Sequence, residues 1–209
     1  MIRYIFGDAL DRYPLLRDSM FRDRAAQFRA RLHWDVTTDA AGHERDQYDA
    51  LNPLYVVWQR PDGRHGGSLR YMPTTGRTML AEHFPHLVDV PMIRSPHIWE
   101  CTRFCLAPCA PGHVSAALML GGLEAGLRLG LSHAVGVFDE RMIKVYRRLG
   151  WPPAPLGSTG EGRDRICAGL WAFEPELRAP LARRAGIAPD LAAHWYHRAF
   201  GEGPLALAA

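Results

Sequence analysis

Lysine is almost missing from this chain: Lys144 is the only one, so 24 of the 25 basic residues are arginine. Arginine supplies rigid, permanently charged forks suited to carboxylates and phosphates. The arginines are scattered, however, and the formal net charge is only +3. No basic run resembles a nucleic-acid footprint, so nucleic acid is not an expected partner. Long apolar runs are missing too. The longest, from Val114 to Phe138, is broken by Glu124, Arg128 and His133, which leaves no candidate membrane span. The N-terminus, Met1-Ile2-Arg3-Tyr4, has no apolar signal core. Cysteine is scarce, at 101, 105, 109 and 167. The Cys-x3-Cys-x3-Cys spacing lacks the tighter pairs and the nearby histidine knuckle of zinc sites, so small buried thiols are expected rather than a metal. A reducing cytoplasm fits this usage.

What remains is ordinary soluble composition, 209 residues with 47% hydrophobic and 22% charged. That suffices for one well-cored domain over 1–209. Residues 14–32, with Leu16, Met20 and Phe28 among many charges, suggest a polar, loosely held amphipathic helix. Residues 37–53 are turn-like and end in Asn52-Pro53. Leu54–Trp58 and Gly67–Met72, joined through Pro61-Asp62-Gly63, read as a β-hairpin. A short helix from Met79 to Phe84, a strand from Ile98 to Leu106 and a long helix from Val114 to Leu129 follow. A strand over 134–138, a helix over 140–149 closed by Gly150, a strand over 166–173 and two short helices complete the chain. This alternation indicates an α/β mixed sheet with helices packed on it.

Three clusters put charge where apolar residues would be easier to accommodate. They are Arg24-x3-Phe28-x5-Trp34, Asp46-x2-Asp49, and Arg70 with Glu100 and Arg103. Each taken singly has a structural reading: solvated helix surface, turn formers, an ion pair. Together, with Phe84, they resemble the autoinducer-synthase (LuxI-type) family of acyl-homoserine-lactone synthases. Nine residues fall in register: Arg24, Phe28, Trp34, Asp46, Asp49, Arg70, Phe84, Glu100 and Arg103. Thr102 stands where a serine is common in that family, and the hydroxyl survives.

The resemblance implies a GNAT-like single domain, a mixed twisted sheet with helices on both faces. It also implies a mobile N-terminal cover, residues 1–36, over bound S-adenosylmethionine. The chain lacks the pyrophosphate-cradling loop of ordinary acetyltransferases; Cys109-Ala110-Pro111-Gly112-His113 stands there. Acyl carrier protein and acyl-CoA both remain possible donors, and no cofactor beyond the two substrates is implied. An α-amine, ordinarily protonated near pH 7, needs a carboxylate to free its lone pair; Glu100 and Asp46 are the candidates. Arg70 would brace the acidic cluster, and Arg24 or Arg103 would hold the substrate carboxylate. Phe28 and Trp34 would face the sulfonium and adenine, while Asp46, Asp49 and Thr102 complete the S-adenosylmethionine site. In a regular strand Glu100 and Arg103 face opposite sides, so a shared site requires a β-bulge near 101–103. An apolar path for the acyl tail is sought among Met79, Phe84, Phe104, Met119, Leu123, Gly136 and Met142. Gly136 falls where 3-oxo-acyl users of the family resemble one another in carrying threonine, so an unsubstituted chain is expected. The alternatives are a GNAT-like N-acyltransferase on another amine and a non-catalytic sensor of S-adenosylmethionine or an acyl carrier.

Overall fold

The computed structural model describes residues 1–201, except residues 33, 89–92 and 109 and the side chain of residue 163. Seven strands make one sheet: β1 (Ile2–Phe6), β2 (Leu54–Gln59), β3 (His65–Pro73), β4 (Ile98–Leu106), β5 (His133–Asp139), β6 (Ala154–Thr159) and β7 (Ile166–Ala172). Their order is β1-β2-β3-β4-β5-β7-β6. Every neighbouring pair is antiparallel except β4 with β5. The sheet is mixed, as expected, and two strands wider than the sequence suggests. β6 is hidden by its proline: Pro155 is accommodated because β6 is an edge strand, where a missing N–H costs nothing. β1 occupies the opposite edge.

Alternation along the strands assigns the two faces. Tyr55 and Val57 of β2 pack with Leu16, Met20 and Phe21 of α1 (Pro14–Arg24). Leu54 and Val56 pack on the other side with α3 (His113–Arg128), as do Leu69 and Tyr71. The short α2 (Met79–His83) lies on the α1 face, where Leu80 joins Val135 and Ala168. The α3 face is completed by α4 (Met142–Leu149), α5 (Arg178–Ala185) and α6 (Pro189–Phe200). Glu124 of α3, fully buried, pairs with Arg128 and with Arg178 of α5 and so ties these helices together. Among the described residues no helix is long and apolar enough to cross a membrane.

Two expectations change. The helix at 14–32 is not loosely held: Leu16, Met20 and Phe28 are all buried. α1 ends at Arg24, and a π-helical turn continues from Ala25 to Arg31. The 1–36 stretch is also not a cover throughout, because β1 is paired strand and α1 is packed helix.

Two irregularities shape the sheet centre. Between Ser68 and Arg70 the β3–β4 register slips, so Arg103 and Phe104 together stand opposite Leu69. This is the β-bulge the sequence demanded, and Arg103 takes a left-handed backbone there, with φ of 53°. Further on, β4 and β5 part company: only Ile98, Trp99 and Glu100 pair with β5, at His133 to Val135.

Candidate active site

The bulge carries Arg103 onto the face that Glu100 and Thr102 already occupy. There, three arginines from three elements meet three carboxylates from one loop. Arg24, at the end of α1, donates from Nε to Glu44 at 2.5 Å and through both terminal nitrogens to Asp49 at 2.9 and 3.0 Å. Arg70 of β3 bonds Asp46 at 2.6 and 2.9 Å, Asp49 at 2.8 Å and the Thr102 hydroxyl at 2.9 Å. Arg103 bonds Glu44 through Nε at 3.1 Å and Nη2 at 2.8 Å, and pairs with Asp46 at 2.8 Å. Tyr55 adds a 2.6 Å bond to Asp49. Formal charges balance at three of each sign, which is what lets such a cluster leave water.

The balance is uneven in detail. Burial alone would push the Asp49 carboxyl upward, but Arg24 and Arg70 outweigh it and hold the group well below the usual carboxylate range. Arg24, Arg70, Glu44 and Asp49 are buried, whereas the side chains of Asp46 and Arg103 each keep 11% of their surface. Those two form the accessible edge. Arg103 also lies beneath an aromatic stack: its guanidinium carbon is 5.4 Å from the Phe28 ring centre. Phe28 stacks on Trp34 at 5.1 Å with a 9° interplanar angle. Trp34 remains 40% exposed.

Glu100 is set apart from the arginines. Its carboxylate accepts from Met79 N–H at 2.9 Å and Leu80 N–H at 2.6 Å, at the N-terminus of α2. Burial raises its pKa, against the pull of those amides and of Arg70. α2 is held in turn by Glu82, which accepts from Tyr48 at 2.8 Å and pairs with Arg77. A small apolar hollow of about 80 Å³ adjoins this helix, lined in part by Leu80, Val88 and Ile93.

The structure therefore gathers Arg24, Phe28, Trp34, Asp46, Asp49, Arg70, Thr102 and Arg103 into one cluster, with Glu100 beside it. It assigns them unequal parts. All three Arg24 nitrogens serve Glu44 and Asp49, and the Thr102 hydroxyl serves Arg70, so both brace the cluster. Glu44 escaped the sequence reading: a single glutamate in a polar loop carries no spacing signal, and only the fold brings it between Arg24 and Arg103. Tyr48, Tyr55 and Glu82 are further partners without a motif.

The expected acyl path is divided. Met79 and Phe84 lie on the α2 side. Phe104, Met119, Leu123 and Met142 belong to the α3-side core, and Gly136 faces Trp171 there. Cys101 and Cys105 point to opposite faces, because the bulge between them breaks the strand period. Cys109 lies outside the described residues. Among those described, no three His, Cys, Asp or Glu residues are grouped to hold a metal ion.

A mixed sheet whose central parallel strands part, with a carboxylate at the parting, defines a GNAT-like acyltransferase. An acyl-CoA N-acyltransferase from Pseudomonas aeruginosa shares the fold, with a TM-score of 0.55 at 15% identity over 82% of this chain and 99% of that one. The arginine–carboxylate cluster narrows the class. The autoinducer synthase family model matches residues 9–176, and the chain belongs to that family. An acyl-homoserine-lactone synthase of Rhizobium etli is 43% identical over 194 residues, 88% of this chain and 91% of that protein. The CoA-dependent acyl-homoserine lactone synthase BjaI, solved with SAM and isopentyl-CoA, superposes with a TM-score of 0.80 at 25% identity over 90% of each chain. The chain is accordingly an acyl-homoserine-lactone synthase, an acyltransferase of quorum-sensing signal synthesis.

Proposed function

We propose that the Arg103–Asp46 edge holds the amino-acid end of S-adenosylmethionine under the Phe28–Trp34 stack, and that an acyl thioester meets it where β4 leaves β5. The observation that carries this is the placement of the accessible charged pair directly beneath the exposed aromatic stack. Arg103 bonds the cluster through Nε and Nη2, which leaves Nη1 for the substrate carboxylate. Asp46 faces the same opening and suits the ammonium group. A sulfonium and an adenine ring both favour aromatic faces. BjaI carries SAM and isopentyl-CoA on the same fold, which supports the pairing of substrates. The Cys109–His113 stretch leaves the carrier open between coenzyme A and acyl carrier protein.

The structure gives grounds for ranking the two candidate bases. Asp46 already accepts from two arginines and from the Tyr48 and Asp49 amides, which occupies the oxygen lone pairs that an incoming proton would need. Glu100 accepts two amides and has a raised pKa, so it is the better proton acceptor. The amine loses its proton to Glu100, directly or through one water, and attacks the thioester carbonyl; the thiolate leaves and is protonated. The substrate carboxylate then attacks its own γ-carbon, and methylthioadenosine departs from the sulfonium. That second step needs little besides a folded substrate geometry. The acyl tail leaves the thioester between β4 and β5 toward the α3 side, where Phe104, Gly136 and Met142 lie.

Purified protein given S-adenosylmethionine and a panel of acyl-CoA and acyl-carrier-protein thioesters should yield a homoserine lactone with equimolar methylthioadenosine by mass spectrometry. The productive thioester identifies the carrier. Acyl transfer without methylthioadenosine would instead establish a plain N-acyltransferase.

A further inference from the structure

α1 meets the sheet through Leu16, Met20 and Phe21, and beside them through two polar side chains a turn apart, Ser19 and Asp23. Both of these meet His65, at the start of β3. The His65 backbone N–H donates to the Ser19 hydroxyl at 2.9 Å. The ring bonds the Asp23 carboxylate through Nδ1 at 2.7 Å and the Ser68 hydroxyl through Nε2 at 3.0 Å. A carboxylate only accepts, so Nδ1 carries the proton and Nε2 accepts from Ser68. The ring is fully buried, and that burial lowers its pKa against the pull of Asp23. Neutral His65 is thus the form that satisfies both partners. The Cys105 thiol completes the line with a 3.7 Å contact to the Asp23 carbonyl.

An acid, a histidine and a hydroxyl in this order resemble a hydrolytic triad. Ser68 is only 2% exposed, however, so no substrate carbonyl reaches its hydroxyl. What this chain of bonds does adjoin is the charge cluster. Asp23 directly precedes Arg24, and Ser68 stands two residues before Arg70 on the same strand face. The register partner of Ser68, Cys105, stands two residues after Arg103, and this pair is the last before the bulge. Apolar contacts are non-directional and would let α1 slide. Hydrogen bonds to a buried ring fix its position on the sheet. The cluster needs that precision, because Glu44 binds Arg24 through one oxygen and Arg103 through the other. Displacing α1 would draw Glu44 from Arg103 and shift the Phe28 ring that lies over it.

Resting on the S-adenosylmethionine placement proposed above, we propose that His65 is a positioning residue for that substrate. With Asp23 and Ser68 it seats α1 against the β4 bulge, so that Arg103 and the Phe28–Trp34 stack meet S-adenosylmethionine already aligned. The Glu100 carboxylate is held by α2, outside this chain of bonds, so the acyl-donor side does not depend on it.

The test follows methylthioadenosine release by wild type, His65→Phe, Asp23→Ala, His65→Asn and Arg103→Gly, varying S-adenosylmethionine and the productive thioester in turn. Titration calorimetry of S-adenosylmethionine binding needs no donor and should rank the proteins alike. His65→Phe and Asp23→Ala break one bond from its two sides, the second at a side chain already 21% exposed. His65→Asn places an amide nitrogen where Nδ1 stood and keeps the bond to Asp23. The first two should each raise the KM for S-adenosylmethionine about tenfold and leave the thioester KM unchanged. His65→Asn should recover most of that loss. Equal rises in both KM values, or no rise in a variant with native near-ultraviolet circular dichroism, overturn the positioning role. Should His65→Phe not fold, Asp23→Ala decides. Arg103→Gly separates the two readings: if it leaves S-adenosylmethionine binding unchanged, the substrate placement fails and the positioning role with it. Weakened binding there but not in Asp23→Ala overturns the positioning role alone.

Discussion

Asp49 and Glu100 are both buried carboxylates, and their neighbours drive them in opposite directions. Asp49 is flanked by two guanidiniums, so its folded pKa falls below the ordinary 3.8. Its contribution to stability is therefore complete above that value and is lost as pH drops below it. Asp49→Asn leaves Arg24 and Arg70 buried with one counter-charge fewer and should cost about 3–5 kcal/mol in urea unfolding. It should also flatten the acid limb of stability against pH; an unchanged limb would show that Asp49 is not the titrating group. Glu100 has a raised pKa and works as a base only when ionised, so turnover should climb with pH through that elevated value. Glu100→Gln should lower kcat about 10²–10⁴-fold, read as the initial rate of methylthioadenosine release, with the fold intact by circular dichroism. The residue types of Asp46, Asp49, Arg70 and Glu100 were readable because a charge beside a strand needs an explanation. Glu44 was not, since its partners stand 20 and 59 positions away.

The decisive element is the bulge in β4. Without it Arg103 would follow the strand period to the α3 side and leave the charge cluster one cation short. Its left-handed backbone is disfavoured for residues with a Cβ by about 1–2 kcal/mol, and most strongly for β-branched ones. Arg103→Gly keeps the bulge geometry and loses the guanidinium, while Arg103→Val opposes both. The valine variant should therefore unfold at the lower temperature by scanning calorimetry, and coincident transitions would argue that the bulge is not maintained by residue 103. At this scale the sequence was legible where hydrophobic periodicity was strong, as in β2, β3, β4 and α3. It was silent at β1 and β6, whose short edge segments carry arginine or proline and so lack a strand signature.

At the scale of the molecule, the site is an assembly of remote segments, with the Phe28–Trp34 stack lying over Arg103. Trp34 contributes through its ring, which stacks on Phe28 and keeps 40% of its surface exposed. If this region covers S-adenosylmethionine, Trp34→Ala should raise the KM for S-adenosylmethionine more than the KM for the acyl donor in steady-state kinetics. The reverse pattern would place Trp34 on the donor's side.

By itself the sequence determined the family, the sheet-and-helix class and the need for an irregular β4, because those rest on residue type and on spacing along one chain. Which arginines are sealed within the cluster and which keeps an accessible edge was decided only by tertiary structure. So were the entry of Glu44 and the division of the apolar candidates between two sheet faces. Each depends on hydrogen-bond geometry and burial between segments far apart in sequence, where local pattern has no reach.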